Sequence, residues 1–142
     1  MKQQDYSNHG RWVLSYHLLT FLAILALLIG SIRNLIVSTE ENLYPAVLLV
    51  LIAFILLFMF YFLRAFALKA QDRAIKVEEN LRHYVLTGEL LNSKLTMRQL
   101  IGLRFASDEE FPDLVEKAAK ENLSEKEIKQ LVKNWRADNY RV

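Results

Sequence analysis

Residues 43–88 read LYPAVLLVLIAFILLFMFYFLRAFALKAQDRAIKVEENLRHYVLTG, and this stretch decides the fold. From residue 42 to residue 63 there are 22 uncharged side chains in a row. As a helix rising 1.5 Å per residue, such a run reaches roughly 30 Å, the thickness of bilayer hydrocarbon. Pro45 stands near its start, where a missing N–H costs little. Beyond Arg64 the run turns polar, yet neither Pro nor Gly occurs before Gly88. A single helix is therefore expected to continue out of the apolar region to residue 87, helped by the pairs Asp72–Lys76 and Glu78–Arg82. Gly88, free to adopt the left-handed conformation, supplies the stop.

A heptad laid on this helix puts Ala46, Ala53, Phe60, Ala67, Ala74 and Leu81 in one row, and Leu49, Leu56, Leu63, Ala70, Val77 and Tyr84 in the other. Within the apolar half the match says little, because nearly every residue there is apolar. Beyond Arg64, where polar residues alternate, it has content. The alanines let another backbone approach closely. Ala23, Ala26 and Gly30 offer a matching small-residue surface upstream. Either packing within the chain or a homo-oligomeric stalk would account for the row.

Upstream lies a second uncharged run, WVLSYHLLTFLAILALLIGSI, 21 residues from Trp12 to Ile32. It is too long for the apolar core of a secretory signal, and Ile29-Gly30-Ser31-Ile32-Arg33 is no cleavage site, so it reads as a retained span. Uninterrupted apolar runs without alternation satisfy their backbone in a membrane only as helices. The short link 33–44 makes the two helices antiparallel neighbours. Lys2 and Arg11 precede the first span, and Arg64, Lys69, Arg73, Lys76 and Arg82 follow the second, against Arg33 alone in the link. That bias puts both termini in the cytoplasm, with Trp12, Tyr16, Tyr44 and Tyr61 at headgroup level.

Over the whole chain of 142 residues, 53% are hydrophobic, and 18 Lys and Arg against 16 Asp and Glu leave a formal charge of +2. The unevenness along the chain, rather than these averages, excludes a purely soluble protein. No cysteine is present, which excludes disulfide scaffolds, thiolate metal sites and thiol chemistry.

Residues 89–142 carry ten basic and ten acidic side chains. Thr96-x-x-Gln99, Ser107-x-x-Glu110 and Ser124-x-x-Glu127 have the form of capping boxes. Apolar spacing after each predicts three short amphipathic helices, with Phe105, Phe111 and Trp135 filling their core or meeting a partner. Pro112 is awkward for a helix starting at Ser107, so the middle helix is expected nearer Pro112 with a separate turn before it. So small a set of helices has a marginal core and needs support from the extension of the second helix or from the membrane surface.

The segment LRHYVLTGELLNSKLTMRQLIGLRFASDEEFPDLVEKAAKENLSEKEIKQLVKNWRAD, with the two spans before it, resembles a family of small bacterial two-span membrane proteins classed as a domain of unknown function. The stretches LRFASDEEFP and LSEKEIKQLVKNWRAD carry the resemblance. It implies a bacterial cytoplasmic (inner) membrane location and transfers no reaction, ligand or functional residue.

Chemistry-bearing patterns are few. His17 lies inside the first span, where an ionisable residue suggests a proton relay or a haem ligand shared between subunits; an interfacial, hydrogen-bonded histidine is the simpler reading. Among Asp108, Glu109, Glu110, Asp113 and Glu116, three share a helix face that could hold a hard cation, but acidic residues in a first turn also simply oppose the helix dipole. His9 and His83 have no metal-ligand spacing. Four glycines build no phosphate-cradling loop, and no nucleophile elbow appears. Lys126, Lys129, Lys133 and Arg136 line up beside Trp135, but a domain of zero net charge lacks the surplus cations that nucleic acid requires. Arg64, Lys69, Arg73 and Lys76 are better placed to meet anionic headgroups, at about 1 kcal/mol each.

The expectation is an all-α membrane protein. It has a cytoplasmic segment 1–11, transmembrane helix 12–32, external loop 33–44, transmembrane helix 45–63 continuing as cytoplasmic helix 64–87, and a cytoplasmic bundle of three short helices over 88–142. No catalytic residue, cofactor or metal is expected. The function expected is that of a non-catalytic scaffold, accessory or interaction subunit, with the lipid bilayer and a homo-oligomer or larger membrane complex as partners. The alternative is a multimeric transport or electron-transfer subunit using His17. The helix-packing residues are Ala23, Ala26, Gly30, Ala46, Ala53, Ala67, Ala70, Ala74, Val77, Leu81 and Tyr84.

Overall fold

A computed structural model describes residues 4–10 and 12–138. Among the described residues the regular elements are all helices, joined by turns and loops, with no strand beyond an isolated bridge between Ala106 and Trp135. A π-helical turn, Ser15–Thr20, leads into α1 (Phe21–Val37). The longest element, α2, is Glu40–Thr87, followed by α3 (Met97–Leu103), α4 (Phe111–Glu121) and α5 (Glu125–Leu131). Contacts divide the chain into a hairpin unit, Trp12–Ala67, and a second unit in which the N-terminal segment joins the residues from Leu68 onward.

In the hairpin unit the stretch 33–44 is mostly helical: α1 runs to Val37 and α2 begins at Glu40, leaving only Ser38 and Thr39 between them. Glu40 and Glu41 occupy the first turn of α2, where carboxylates oppose the dipole, so Pro45 lies inside the helix rather than at its first position. Burial falls on single stripes. On α1 these are Ile24, Leu28, Ser31 and Leu35, and on α2 Ala46, Val50, Ala53, Leu57 and Phe60. Ala46 and Ala53 are almost fully enclosed. At the other end of the hairpin the Tyr16 hydroxyl donates to the Phe60 carbonyl at 2.6 Å, and the two rings stack with centroids 4.6 Å apart.

In the second unit Gly88 takes the expected left-handed conformation, φ +79°, and closes α2. Thr96 with Gln99 and Ser124 with Glu127 form complete capping boxes that start α3 and α5. The Ser107 pattern makes only its return half, Glu110 accepting from the Ser107 amide at 3.3 Å. Helix α4 starts instead at Phe111 with Pro112 in its first turn, where the ring forfeits no internal bond. Asn122, at φ 50°, ends it. Leu100, Leu103, Ala106, Phe111, Leu114, Val115, Ala118, Ile128 and Val132 form the core, with Leu91, Leu95, Met97, Leu123 and Trp135 against it. Gly102 lets α3 and α5 touch: a Cβ there would lie 3.0 Å from Ile128 Cγ2 and 3.1 Å from the Glu125 carbonyl.

Candidate functional site

The second unit has two contrasting surfaces on the part of α2 that it contains. One face carries Ile75, Glu79 and Arg82, spaced four and three apart so that they share a side of the helix. Ile75 and Glu79 are buried. The Arg82 guanidinium donates through Nη1 to Glu79 Oε2 at 3.1 Å, through Nε to Asp108 Oδ1 at 2.7 Å and through Nη2 to the Ala106 carbonyl at 2.7 Å. It also lies 4.2 Å from the centroid of the Phe111 ring. One arginine thus ties α2 to the turn between α3 and α4. The i,i+4 pair expected between Glu78 and Arg82 does not form, because the enclosed Glu79 and the exposed Asp108 take the guanidinium instead; among the described residues Asp72 and Lys76 form no ion pair either.

Burial raises the Glu79 carboxyl above its usual value, and the bond and charge of Arg82 offset that only in part. Nearby, Arg104 is enclosed, pairs with Asp138 at 3.0 Å and lies over the Phe105 ring. Burial lowers its pKa, opposed by the Asp138 charge. Glu78, Glu79, Arg104, Arg136 and Asp138 line a cleft of about 310 Å³. Three carboxylates against two guanidiniums leave no surplus positive charge there for an anion.

The opposite face holds the downstream part of the heptad row. Ala70, Ala74, Val77, Leu81 and Tyr84 are exposed, at 68% for Val77, 60% for Leu81 and 52% for Tyr84. The helical domain therefore docks on the side of α2 away from the row. Ala67 is half-buried, and Ala46 and Ala53 lie in the hairpin stripe. Ala23, Ala26 and Gly30 are exposed, the contact stripe of α1 being formed by Ile24, Leu28, Ser31 and Leu35. Of the basic residues assigned to headgroups, Lys69, Arg73 and Lys76 are exposed and Arg64 half-buried.

His17 is engaged by its own turn. Its Nδ1 lies 3.2 Å from the Val13 amide and 2.9 Å from the Val13 carbonyl, and its ring stacks on Trp12. The acidic cluster is dispersed: Asp108 binds Arg82, while Glu110 accepts from the amides of Lys133 and Asn134, both at 3.1 Å. Among the described residues no group of His, Asp and Glu is arranged to hold a metal. The basic row is broken as well, since Lys129 is buried and bonded to Glu125 at 2.6 Å. Burial pushes the Glu125 carboxyl up, but Lys129 and Arg98 outweigh it and hold it below the usual value.

The N-terminal segment is part of this unit, which nothing in the sequence announced. The His9 ring sits 5.7 Å from both Phe105 and Trp135, and its Nε2 is 3.2 Å from Lys129 Nζ. Gln4 accepts from the Asp138 amide at 2.8 Å. Phe105 and Phe111 are fully enclosed and Trp135 half-buried, so the three large aromatics serve the core.

A family model described as a family of unknown function, DUF6526, matches residues 1–142. The chain belongs to this family. No curated protein and no solved structure matches it. Family membership thus covers both units and assigns no reaction to either.

Proposed function

We propose that this family member is a non-catalytic, two-span protein of the bacterial cytoplasmic membrane that presents its helical domain to the cytoplasm as a scaffold or interaction subunit. The observation that carries this reading is where the apolar surface lies. Helical stretches Ser15–Val37 and Glu40–Thr87 are long and apolar enough to cross a membrane, and only 11% of the most apolar window of each is buried. A core helix of a soluble protein would be mostly covered; lipid is the solvent that suits these side chains. The packing of residues 4–10 on the C-terminal domain supports a topology with both ends on one side, and the Lys and Arg bias makes that side the cytoplasm. The unpartnered face of α2 and a domain stabilised by its own core and salt bridges suit binding rather than turnover.

The reading centred on His17 has less behind it: Nδ1 is taken by the backbone of its own turn, which leaves only Nε2 for a ligand, and neither apolar run holds a second histidine to complete an axial pair within the chain.

The test is alkaline extraction of membranes from expressing cells, with reporters fused after residue 142. Retention in the pellet and activity of a cytoplasm-dependent reporter are expected. Release by alkali, or activity of an exterior-dependent reporter, would overturn the proposal. Absorbance of the purified protein should show no Soret band, and His17→Ala should accumulate like the wild type.

A further inference from the structure

We infer that the exposed row Ala70, Ala74, Val77, Leu81 and Tyr84 is the seam of a parallel homodimer, so that two copies of the chain join along α2. The row alone shows an apolar face seeking cover; the charges beside it say what covers it. With Ala74 and Leu81 at one seam position and Ala70, Val77 and Tyr84 at the other, Arg73 and Glu78 fall on the two flanks of the seam. They are five residues apart. In a parallel pair of helices this spacing sets the flanking residue of one chain against the opposite flank of its partner, one heptad on. Arg73 of each copy therefore meets Glu78 of the other, twice by symmetry. An antiparallel pair would instead bring like flanks together and leave these charges unmatched. Both residues are exposed, and among the described residues neither forms an ion pair within its own chain.

The other ingredients agree. Ala70 and Ala74 allow a close backbone approach, while Val77, Leu81 and Tyr84 supply the area to bury. Leu90, Leu91 and Leu95 border the row across a groove of about 710 Å³, which leaves room for a partner's Tyr84 ring beside Leu81. The helical domain packs on the Ile75, Glu79 and Arg82 side and reaches the flanks at Asn80, which accepts from the Leu91 amide at 3.0 Å, and at Glu78; the seam residues themselves stay exposed. A seam of about two heptads is short for a pair of free helices. Here the inference rests on the membrane reading: two copies inserted in the same sense are already parallel and confined, which raises their effective concentration.

The chain has no cysteine, so single replacements report cleanly. Val77→Cys and Leu81→Cys on the seam and Lys76→Cys beside it, each in the full chain reconstituted in lipid vesicles, would be oxidised and run on non-reducing gels. Covalent dimer is expected for the first two and not the third. Arg73→Glu or Glu78→Arg, placed in the Val77→Cys background, should weaken the dimer roughly 5- to 10-fold by setting like charges opposite each other, and the double exchange should restore it. Equal cross-linking at all three positions, no cross-linking at 77 and 81, or no recovery in the double exchange would each overturn the seam. A face shielded from thiol reagents only by lipid, without dimer, would overturn it too. Flotation of the vesicles reports insertion separately, and the same oxidation in detergent tests the seam should insertion fail.

Discussion

The Arg82 guanidinium lies 4.2 Å from the centroid of the Phe111 ring while donating at 3.1 Å to Glu79. The arginine therefore holds a buried carboxylate and the first residue of α4 at once. Removing it would strand Glu79, whose side chain is only 7% exposed, beside an aromatic ring. Arg82→Ala should destabilise the helical domain by about 3–5 kcal/mol, the usual cost of breaking one side of a buried pair. Urea titration of the purified full chain followed by circular dichroism would show it; a loss below ~1 kcal/mol would mean that Asp108 and the core suffice without the arginine.

Glu79 also sets a pH dependence whose sign runs against the usual acidic residue. Its folded pKa is raised, chiefly by burial, above the ordinary 4.5. Its contribution to stability is therefore complete below that ordinary value and is lost as pH rises through the folded one. Glu79→Gln, which keeps an acceptor for Arg82, should gain on the wild type as the pH rises above about 4.5. Melting temperatures of the two proteins measured across this window should diverge with rising pH; parallel curves would deny the shift.

Glu127 gives the opposite trend. Hydrogen bonds from the Ser124 side chain and amide lower its pKa, so its stabilisation is present above about 4.5 and fades as acid protonates it. Ser124→Ala should weaken that dependence, since only the amide bond to Glu127 remains, and cost about 1 kcal/mol as the N-cap of α5 is lost. The same melting series in acid would detect it as a flatter profile below about pH 4.5.

Gly102→Ala should cost about 1–3 kcal/mol despite alanine's better helix propensity, because the new methyl meets a backbone carbonyl that cannot swing aside. Adding Ile128→Val should not rescue it, since valine keeps the Cβ and Cγ2 that the methyl would meet and the Glu125 carbonyl at 3.1 Å stays in place. A stable Gly102→Ala protein in thermal melts would show that α3 and α5 have slack.

His9→Ala should free the N-terminal segment from Phe105 and Trp135. Limited proteolysis is expected to cut before Trp12 faster in the variant, with the rest of the domain resistant. Equal rates would show that Gln4 and Asp138 hold the segment without the ring.

What could be read from the sequence tracks how much contrast each stretch contained. The capping boxes at Thr96 and Ser124 and the stop at Gly88 are local chemistry and appear where expected. The box at Ser107 fails because Pro112 fits only the first turn of a helix, which shifts the start to Phe111. In α1 and the first half of α2 every face is apolar, so the stripe Ile24, Leu28, Ser31 and Leu35 is invisible and the small residues Ala23, Ala26 and Gly30 attract attention instead. Past Arg64 the row Ala70 to Tyr84 is legible as a row. Its exposure is not, because that depends on Glu79 and Arg82, polar residues that look solvated until Asp108 and Phe111 close over them. The docking of His9 on Trp135 joins residues too far apart in the chain for any pattern to reveal.

The contact between Gln4 and Asp138 places side by side two residues separated by 134 positions in the chain. A fluorescent donor attached near one end and an acceptor near the other would then report on whether the domain is intact, by energy transfer, inside living cells.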